Sequence, residues 1–502
     1  MFSQINSYIS STLDSIYSVS IGYVLMFVLL GAGLYFTFAS KGYQFRMFGH
    51  MCKMVFHSRK GAKGGISSFQ AFAIGLADRV GTGAIAGVAL AVVAGGPGTV
   101  FWMWVVALLG MATAFIEATL AQMFKVRAGD GTFRGGPAYY IQKGLGSRKW
   151  GMVFAVLLIF AYAFSFEMIQ SNSISQLAEH SFGIPTWVSA LILVIMTLPL
   201  VLGGIRPIAR LSEYMAPIMA AVYMLMALVI LVINYESIPF LIKEIFAGAF
   251  GQGTYVPPAV SGAAGAFIVA LQTGVKRGLF TNEAGMGSAP NAAATATVEH
   301  PVSQGLVQSL GVFVDTMMVC TATALIILVS EPFWASSAHS LDGTALTAAS
   351  MVSSLSLGVY TEHIISGFVL IMLLSFGYST ILGNYTYAET NYCFLRGIHC
   401  NRLPLKLLVI FATFLGAVLP LQSVWSLADW ACALMAIVNL IAILMLGKWA
   451  LGALKDYCAQ LKKGQTPVFH SSHNEYMPAE LETEVWSEPG GYHESWDKTK
   501  KN

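Results

Sequence analysis

The sequence predicts an all-helical membrane protein that crosses the bilayer many times. Of its 502 residues, 56% are hydrophobic and only 11% are charged, whereas soluble domains carry about 25% charged residues. Long apolar segments recur along the chain, and each has about the 20 residues that a membrane-spanning helix needs. Two of these segments are interrupted by glycines, and such breaks are tolerated at membrane depth only where protein or a water-filled cavity satisfies the freed backbone groups. The breaks therefore indicate a transporter with a buried binding site.

Eleven segments are predicted to cross the membrane. The first follows a start that has neither a basic segment nor a small-residue cleavage site, so it is expected to be retained rather than removed as a signal peptide. Two further helices, at 238–250 and 343–355, are expected to lie at the membrane surface, and a polar, flexible tail is expected after residue 452. The predicted spans cover about residues 19–40, 66–94, 98–124, 151–176, 185–203, 213–234, 261–287, 303–330, 363–392, 404–421 and 425–449.

The distribution of basic residues supports this count. Lysine and arginine are concentrated in four loops on one face, whereas the alternate segments outside the spans hold only Lys243. Cytoplasmic loops carry an excess of basic residues, so the N-terminus is expected outside the cell and the C-terminus in the cytoplasm. The basic loops are residues 41–65, 125–150, 204–212 and 393–406.

The two glycine-rich interruptions occupy corresponding positions. The first is Val-Gly-Thr-Gly-Ala-Ile-Ala-Gly at 80–87, and the second covers 274–290. When the first span is set aside, each interrupted span opens a block of five spans, and the two blocks enter the membrane from opposite faces. This predicts an inverted five-plus-five repeat with a substrate site near mid-membrane. The expected units are an N-terminal segment (1–65), two repeats (66–234 and 261–452), an external connection (235–260) and the tail (453–502).

Polar residues inside the spans allow more than one interpretation. Intramembrane charges such as Asp78 and Arg79 are costly and usually functional, but an ion pair that only holds structure is the alternative. Arg277 and Glu283 in the second interruption are candidates for a gating pair. The adjacent hydroxyls at positions 379 and 380 offer two oxygen ligands to a small cation, or they bond back to their own helix.

Several familiar motifs are absent or out of context. The stretch 81–86 fits the dinucleotide fingerprint, but it lies in a membrane span without the acidic residue that this motif requires. No Walker motif, catalytic constellation or zinc-binding spacing occurs in the sequence. An ATP-driven pump and an enzyme are therefore not expected, and the modest net charge of +3 gives no reason to expect nucleic-acid binding.

Several strings of the sequence resemble the alanine/glycine:cation symporter family, also called sodium:alanine symporters. The most specific is Gly-Gly-Pro-Gly-Thr-Val-Phe-Trp-Met-Trp at 95–104, and the strings at 64–70, 80–83, 133–138 and 280–290 also fit. The resemblance covers about residues 20–450. It implies a sodium-coupled importer of small neutral amino acids in the inner membrane of a prokaryote, with a leucine-transporter-like inverted repeat and an extra first helix. Such a protein is expected to function as a monomer in the lipid bilayer.

The resemblance also implies a substrate site at the first interruption. The substrate carboxylate would bind the backbone amides of Gly81, Thr82 and Gly83, at the partially positive N-terminus of the half-helix that follows. The remaining implied contacts are acceptors for the substrate ammonium (Asp78, Gln170 and unwound carbonyls near Thr273 and Gly274), a cap over the pocket (Phe164) and a neighbour of the substrate side chain (Asn384).

A sodium site is implied beside the substrate site. Sodium is a hard cation that takes oxygen ligands, and the resemblance assigns it three carbonyls and two hydroxyls. The implied ligands are the carbonyls of Ala77, Val80 and Phe376 and the hydroxyls of Ser379 and Thr380.

Two residues depart from the usual pattern of the family. Ala84 stands where many members have Asn, whose side chain helps to hold a second sodium ion in related folds, so a single coupled sodium ion is expected. Asn384 stands where many members have Trp, and the smaller polar side chain is expected to admit an amino acid such as glutamine or serine. The alternatives to sodium-coupled import are proton coupling on the same scaffold and a membrane amino-acid sensor that does not transport.

Overall fold

The computed structural model describes most of the chain, and within the described part the backbone is almost entirely helical. A short antiparallel hairpin is formed by strands β1 (Val126–Arg127) and β2 (Phe133–Arg134). The described residues are 22–57, 66–128, 132–203, 205–255, 262–335, 341, 343–355, 361–397, 401–472, 474–479, 481, 483, 485 and 486.

The first half of the chain contains the first broken helix and one irregular helix. A single 3-10 turn, Thr82–Ala84, separates α4 from α5, and a π-helical segment, Ala161–Phe166, connects α8 to α9. A second 3-10 turn, Tyr235–Ser237, precedes α12. The helices are α1 (Gly22–Ala39), α2 (Tyr43–Arg46), α3 (Phe48–His57), α4 (Ser68–Arg79), α5 (Ala86–Gly95), α6 (Gly98–Met123), α7 (Pro137–Gly144), α8 (Arg148–Phe160), α9 (Glu167–Phe182), α10 (Thr186–Gly203), α11 (Ile205–Ile233) and α12 (Ile238–Ala249).

The second half of the chain also contains an interrupted helix and an irregular one. Its first long helix is again followed by a non-helical stretch, and a second π-helical segment, Phe313–Cys320, connects α15 to α16. The helices are α13 (Gly262–Asn282), α14 (Pro290–Ala293), α15 (Pro301–Val312), α16 (Thr321–Val329), α17 (Glu331–Trp334), α18 (Gly343–Leu355), α19 (Thr361–Arg396), α20 (Leu403–Val418) and α21 (Leu421–Lys462).

Several of these helices are long and apolar enough to cross a membrane. By length and composition, 7 helices of the described residues can cross a membrane, or 8 if α4 and α5 form one bent span. Two apolar helical segments are shorter than 18 residues: Thr186–Pro199, which is part of α10, and Leu403–Val418. Each of the eleven predicted spans coincides with a continuous or broken helix, and α13, which includes Lys276 and Arg277, is not among the 7.

The helix predicted at 343–355 is present, but it is not simply a surface helix. Most of α18 is buried, and it packs against α5, α9, α16 and α19. Thr344 donates a hydrogen bond to the carbonyl of Ser173 at 3.3 Å, and Thr347 donates one to the carbonyl of Ile85 at 3.5 Å. Its small and hydroxyl-bearing residues thus cover the first break, a role that its composition alone does not reveal.

The expectation of a flexible tail is wrong over the tail's described residues. Helix α21 continues to Lys462, ten residues beyond the predicted end of the second repeat. Beyond it, the amide of Phe469 donates to the carbonyl of Glu299 at 2.9 Å, and the indole of Trp486 donates to the carbonyl of Gln122 at 2.9 Å. A few buried aromatic residues therefore anchor a segment whose overall composition is polar.

Replacing Trp486 with alanine should lower the thermal unfolding midpoint of the purified protein. The Trp486 side chain is fully buried between the Phe469 ring, 5.4 Å between centroids, and the Lys125 ammonium, 5.0 Å from the ring. Removing a buried Trp side chain costs about 3–5 kcal/mol. The matched control is Trp150→Ala, because Trp150 is 58% exposed. Equal midpoints for Trp486→Ala and the unchanged protein would contradict the docked tail.

Candidate binding site at the two broken helices

The first break separates two half-helices that meet at an angle. Helix α4 begins with a capping box, in which Ser67 and Gln70 each bond the other's backbone amide, and it bends by 50° from the half-helix after it. Val80 leaves the helical conformation with φ −80° and ψ 61°, and Gly81 is extended. The backbone is thus unwound at the residues that the glycine pattern indicated.

The glycines of this break are required by close neighbours. A Cβ on Gly81 would overlap the hydroxyl oxygen of Thr380, and a Cβ on Gly83 would lie 2.9 Å from the ring of Phe280. Backbone from the break therefore touches α19 on one side and α13 on the other. The break therefore contacts helices from the second half of the chain on two sides.

Four of the five oxygens predicted to bind sodium converge beside this break. The hydroxyl of Thr380 lies 3.1 Å from the carbonyl oxygen of Ala77 and 3.0 Å from that of Phe376. The hydroxyl of Ser379 lies 2.8 Å from the carbonyl of Phe376 and 3.4 Å from that of Ala77. These hydroxyls bond back to their own helix and also reach the broken one. An all-oxygen cluster of this kind suits a hard cation.

The fifth predicted sodium ligand is the carbonyl oxygen of Val80, and the carbonyl oxygen of Asp78 is an alternative to it. Val80 is buried at the non-helical end of α4. The carbonyl of Asp78 lies 3.5 Å from the hydroxyl of Thr380, so this carbonyl also belongs to the oxygen cluster.

Gln170 occupies a different role from the predicted one. Its side-chain oxygen accepts hydrogen bonds from the amide of Thr82 at 3.2 Å and from the hydroxyl of Thr82 at 2.7 Å. This oxygen is therefore engaged at the backbone amide that was assigned to the substrate carboxylate, and it is not open to an ammonium group in this conformation. Sequence reasoning missed this because it treats an amide side chain only by type, without its direction.

The second break begins later than predicted. Helix α13 runs without interruption through Thr273 and Gly274, so their carbonyls are not unwound. A Cβ on Gly274 would lie 2.5 Å from Trp102 Cβ, which indicates that this glycine permits close helix packing instead. The helix ends at Asn282, and Glu283 follows with a φ of 58°, in the left-handed region that few non-glycine residues adopt.

The predicted cap, Phe164, lies away from the break. Its ring stacks on Phe160, which is 39% exposed, at 5.9 Å between centroids. Phe166 lies at the break instead, where its ring stacks on that of Phe280 at 4.6 Å between centroids. The reason is the π-helical segment that contains both residues, since its wider turn rotates side chains away from the positions that a regular α-helix gives them. No periodicity argument assuming an α-helix could have found this.

Asp78 and Asn384 are both buried beside the break. Asp78 is 5% exposed and Asn384 is 0% exposed. Among the described residues, no hydrogen bond reaches either carboxyl oxygen of Asp78 or either amide atom of Asn384, and the carboxyl of Glu167 is also without one. Buried polar atoms are almost always hydrogen-bonded, so a group of unpaired ones calls for an explanation. A polar ligand between these side chains would provide it.

The expected pairing of Arg277 with Glu283 is wrong. Arg277 instead forms a two-bond contact with Asp429, at 3.2 and 3.3 Å, and lies over the ring of Trp425 at 4.5 Å. Glu283 lies beyond the end of α13, where its carboxyl accepts hydrogen bonds from Tyr162 and Ser288. Lys276 also contacts Asp429, at 2.5 Å, and these charged residues border a cavity of about 610 Å³.

Sequence comparison identifies the family to which this arrangement belongs. The sequence model of a protein family, described as the sodium:alanine symporter family, matches residues 6–471. The chain belongs to the sodium:alanine symporter family. It is therefore a sodium-coupled transporter of small neutral amino acids and not an enzyme.

Relatives of this symporter include bacterial transport proteins. The probable sodium/glutamine symporter GlnT of Bacillus subtilis is 44% identical over 89% of this chain and 90% of the relative. A sodium/proton-dependent alanine carrier protein of Bacillus sp. is 36% identical over 82% of this chain and 93% of the relative. Among solved structures, a manganese transporter of Eremococcus coleocola aligns with a TM-score of 0.49 at 15% identity, over 79% of this chain and 82% of that chain.

Proposed function

We propose that this symporter imports a small neutral amino acid together with one sodium ion by alternating access. The observation that carries the proposal is the oxygen cluster formed by Ala77, Phe376, Ser379 and Thr380. It joins the broken α4 to α19, so an ion bound there would stabilise one arrangement of the two helices over others. A ligand shifts a conformational equilibrium only through such differential binding.

The proposed architecture has eleven spans, arranged as a leucine-transporter-like inverted repeat of five plus five with an extra first helix. Two broken helices at corresponding positions support it, one at Gly81 and one after Asn282. The basic loops support an N-terminus outside and a C-terminus in the cytoplasm. The proposed location is the cytoplasmic membrane of a prokaryote.

The proposed substrate position lies at the start of the second half-helix. Backbone amides of Gly81, Thr82 and Gly83 precede α5, whose N-terminus favours an anion. Binding of the substrate carboxylate would take over the amide of Thr82 and release Gln170 from it. The substrate ammonium would lie toward the side chain of Asp78, which has no hydrogen-bond partner among the described residues.

A single sodium ion per cycle is the proposed stoichiometry. Ala84 lies fully buried in the 3-10 turn of the first break, and its methyl side chain offers no ligand atom. Sodium is thus a transported substrate of this protein rather than a resident cofactor.

Asn384→Leu should remove recognition of glutamine while alanine uptake continues. Asn384 is fully buried, and in the described part of the chain neither of its amide atoms has a hydrogen-bond partner, so a substrate with its own amide can pair with them. A site built to hydrogen-bond its substrate discriminates strongly, whereas an apolar side chain of similar size does not. The measurement is inhibition of labelled alanine uptake by glutamine, and the expected change is a rise of roughly 10-fold or more in the inhibition constant. An unchanged constant would remove Asn384 from the specificity site.

The proposed function is tested with purified protein in lipid vesicles. Labelled alanine uptake is compared between an inward sodium gradient and an equal choline gradient. Concentrative uptake with sodium and none with choline is expected. Equal accumulation in both would refute sodium coupling.

A further inference from the structure

The end of the chain is docked on the proposed cytoplasmic face of the protein. The tail segment, by which we mean the described residues of 463–486, follows the last helix, α21. Phe469 and Trp486 within it are 0% exposed. The amide of Phe469 donates to the carbonyl of Glu299 at 2.9 Å, and the indole N–H of Trp486 donates to the carbonyl of Gln122 at 2.9 Å. None of these residues belongs to the proposed sodium or substrate site.

Side-chain hydrogen bonds fix the tail segment to two helices. Ser471 Oγ donates to the carbonyl of Trp486 at 2.6 Å, which holds the segment's two buried parts together. Asn474 Nδ2 donates to Asp456 Oδ2 in α21 at 3.0 Å. The same carboxyl oxygen lies 3.4 Å from Nε2 of His300, the residue before α15. The tail segment therefore links α21 to the start of α15.

A backbone bridge joins the two broken helices at the same face. Ile66, which lies two residues before α4, forms a parallel bridge with Ala296, and the amide of Thr297 donates to the carbonyl of Ile66 at 3.0 Å. Ala296 lies three residues beyond α14, the short helix that follows the second break. Ile66 is 2% exposed and Ala296 is 0% exposed. The chain entering the first broken helix is thus held against the chain leaving the second break.

Lys125 and Gln122 connect the tail segment to this bridge. Nζ of Lys125 donates to the carbonyl of Ala296 at 2.9 Å and lies 5.0 Å from the ring of Trp486. Nε2 of Gln122 donates to the same carbonyl at 3.1 Å, while the main-chain carbonyl of Gln122 accepts the indole hydrogen bond of Trp486. Lys125 is 1% exposed, and a buried ammonium group is costly unless such partners surround it. Release of Trp486 would therefore weaken the contacts that hold Ala296 in place opposite Ile66.

We propose that the tail segment is a strap that holds the cytoplasmic side of the transporter closed. The docked strap fixes the backbone at 296–300 where Thr297 can bond to Ile66, so less backbone has to be ordered when this side closes. When the strap loosens, this backbone is freed and the bridge opens more often, which lets an amino acid leave toward the cytoplasm. A contact shifts a conformational equilibrium by its differential free energy in the two states. The strap rests on the alternating access proposed above, and it adds a control over cytoplasmic release that uses neither the sodium site nor the substrate site.

The test measures how often the bridge opens in the full chain. Ile66→Cys places a thiol at the bridge and keeps its backbone bonds, and the purified protein is treated with a polar maleimide and analysed by mass spectrometry at each cysteine. Two neighbouring serines of the strap give matched variants in this background, because Ser471 is buried and bonded to Trp486 whereas Ser472 is exposed. Ser471→Ala should speed labelling at position 66 by about 2- to 10-fold, the worth of one hydrogen bond. Ser472→Ala should leave the labelling rate unchanged.

Trp486→Ala should have the larger effect, a rise of about 10-fold or more in the labelling rate at position 66. The buried thiol of Cys320, which is 1% exposed, reports general loosening of the fold, and its labelling should stay slow in every variant. The strap is refuted if Ser471→Ala and Ser472→Ala label equally fast at position 66, or if labelling of Cys320 rises as much as labelling at position 66. If Trp486→Ala does not fold, the two serine variants still decide. Because labelling needs no ion gradient, failure of sodium dependence in uptake would count against the proposed function alone.

Discussion

Thr380→Ala should raise the sodium concentration needed for half-maximal alanine uptake by about 10- to 100-fold. Thr380 contributes the hydroxyl that lies within 3.1 Å of carbonyl oxygens from both α4 and α19. Losing one hydrogen-bonding group to a charged partner costs about 1.5–3 kcal/mol, and each 1.4 kcal/mol is a tenfold change in affinity. The measurement is the sodium dependence of initial uptake rates in vesicles.

The same helix provides a matched control for that variant. Thr386 is also a buried threonine of α19, but its hydroxyl donates only to the carbonyl of Leu382, at 2.9 Å, within its own helix. Thr386→Ala should therefore leave the sodium dependence unchanged. The sodium assignment fails if the two variants show the same sodium dependence as the unchanged protein.

Gly81→Ala should reduce sodium-driven alanine uptake by roughly 10-fold or more. The added methyl group would fill the space of the Thr380 hydroxyl and would lie 3.2 Å from the carbonyl oxygen of Asp78. Overpacking of this kind typically costs about 1–3 kcal/mol. Because the neighbours are the oxygens of the proposed ion site, the cost falls on sodium binding as well as on stability.

Expression and thermal unfolding of Gly81→Ala are measured beside its uptake, to separate a lost site from a lost fold. The control is Gly31→Ala, since Gly31 in α1 has no atom within 4 Å of an added Cβ. That variant should transport normally. Normal uptake by Gly81→Ala would mean that the Gly81–Thr380 contact is not needed for transport.

Much of the backbone organisation follows from patterns that a sequence displays directly. Apolar length locates the helices, and glycines at 81 and 83 locate the first break, because neither depends on distant contacts. The oxygen cluster at Ser379 and Thr380 needed the family resemblance, because hydroxyl groups in an apolar helix can equally bond back to their own helix. Four of the five sodium ligands that the resemblance implies lie together in the structure.

Side-chain direction was beyond reach wherever the helix geometry is irregular or a tertiary partner decides. Because residues 161–166 form a π-helical segment, Phe166 and not Phe164 lies at the break. Gly274 permits close packing of α13 against α6. Arg277 forms its ion pair with Asp429, which is distant in sequence, and not with Glu283. The errors at Gly274 and Arg277 arose from partners far away in sequence, which residue type and spacing cannot specify.

The most direct test of the central claim is the ratio of sodium to amino acid carried in one cycle. Labelled sodium and labelled alanine are followed together in the same vesicles during initial uptake. The account predicts alanine-dependent sodium entry in a one-to-one ratio, which in Thr380→Ala requires a higher sodium concentration and in Thr386→Ala does not. Accumulation of alanine without alanine-dependent sodium entry would contradict it.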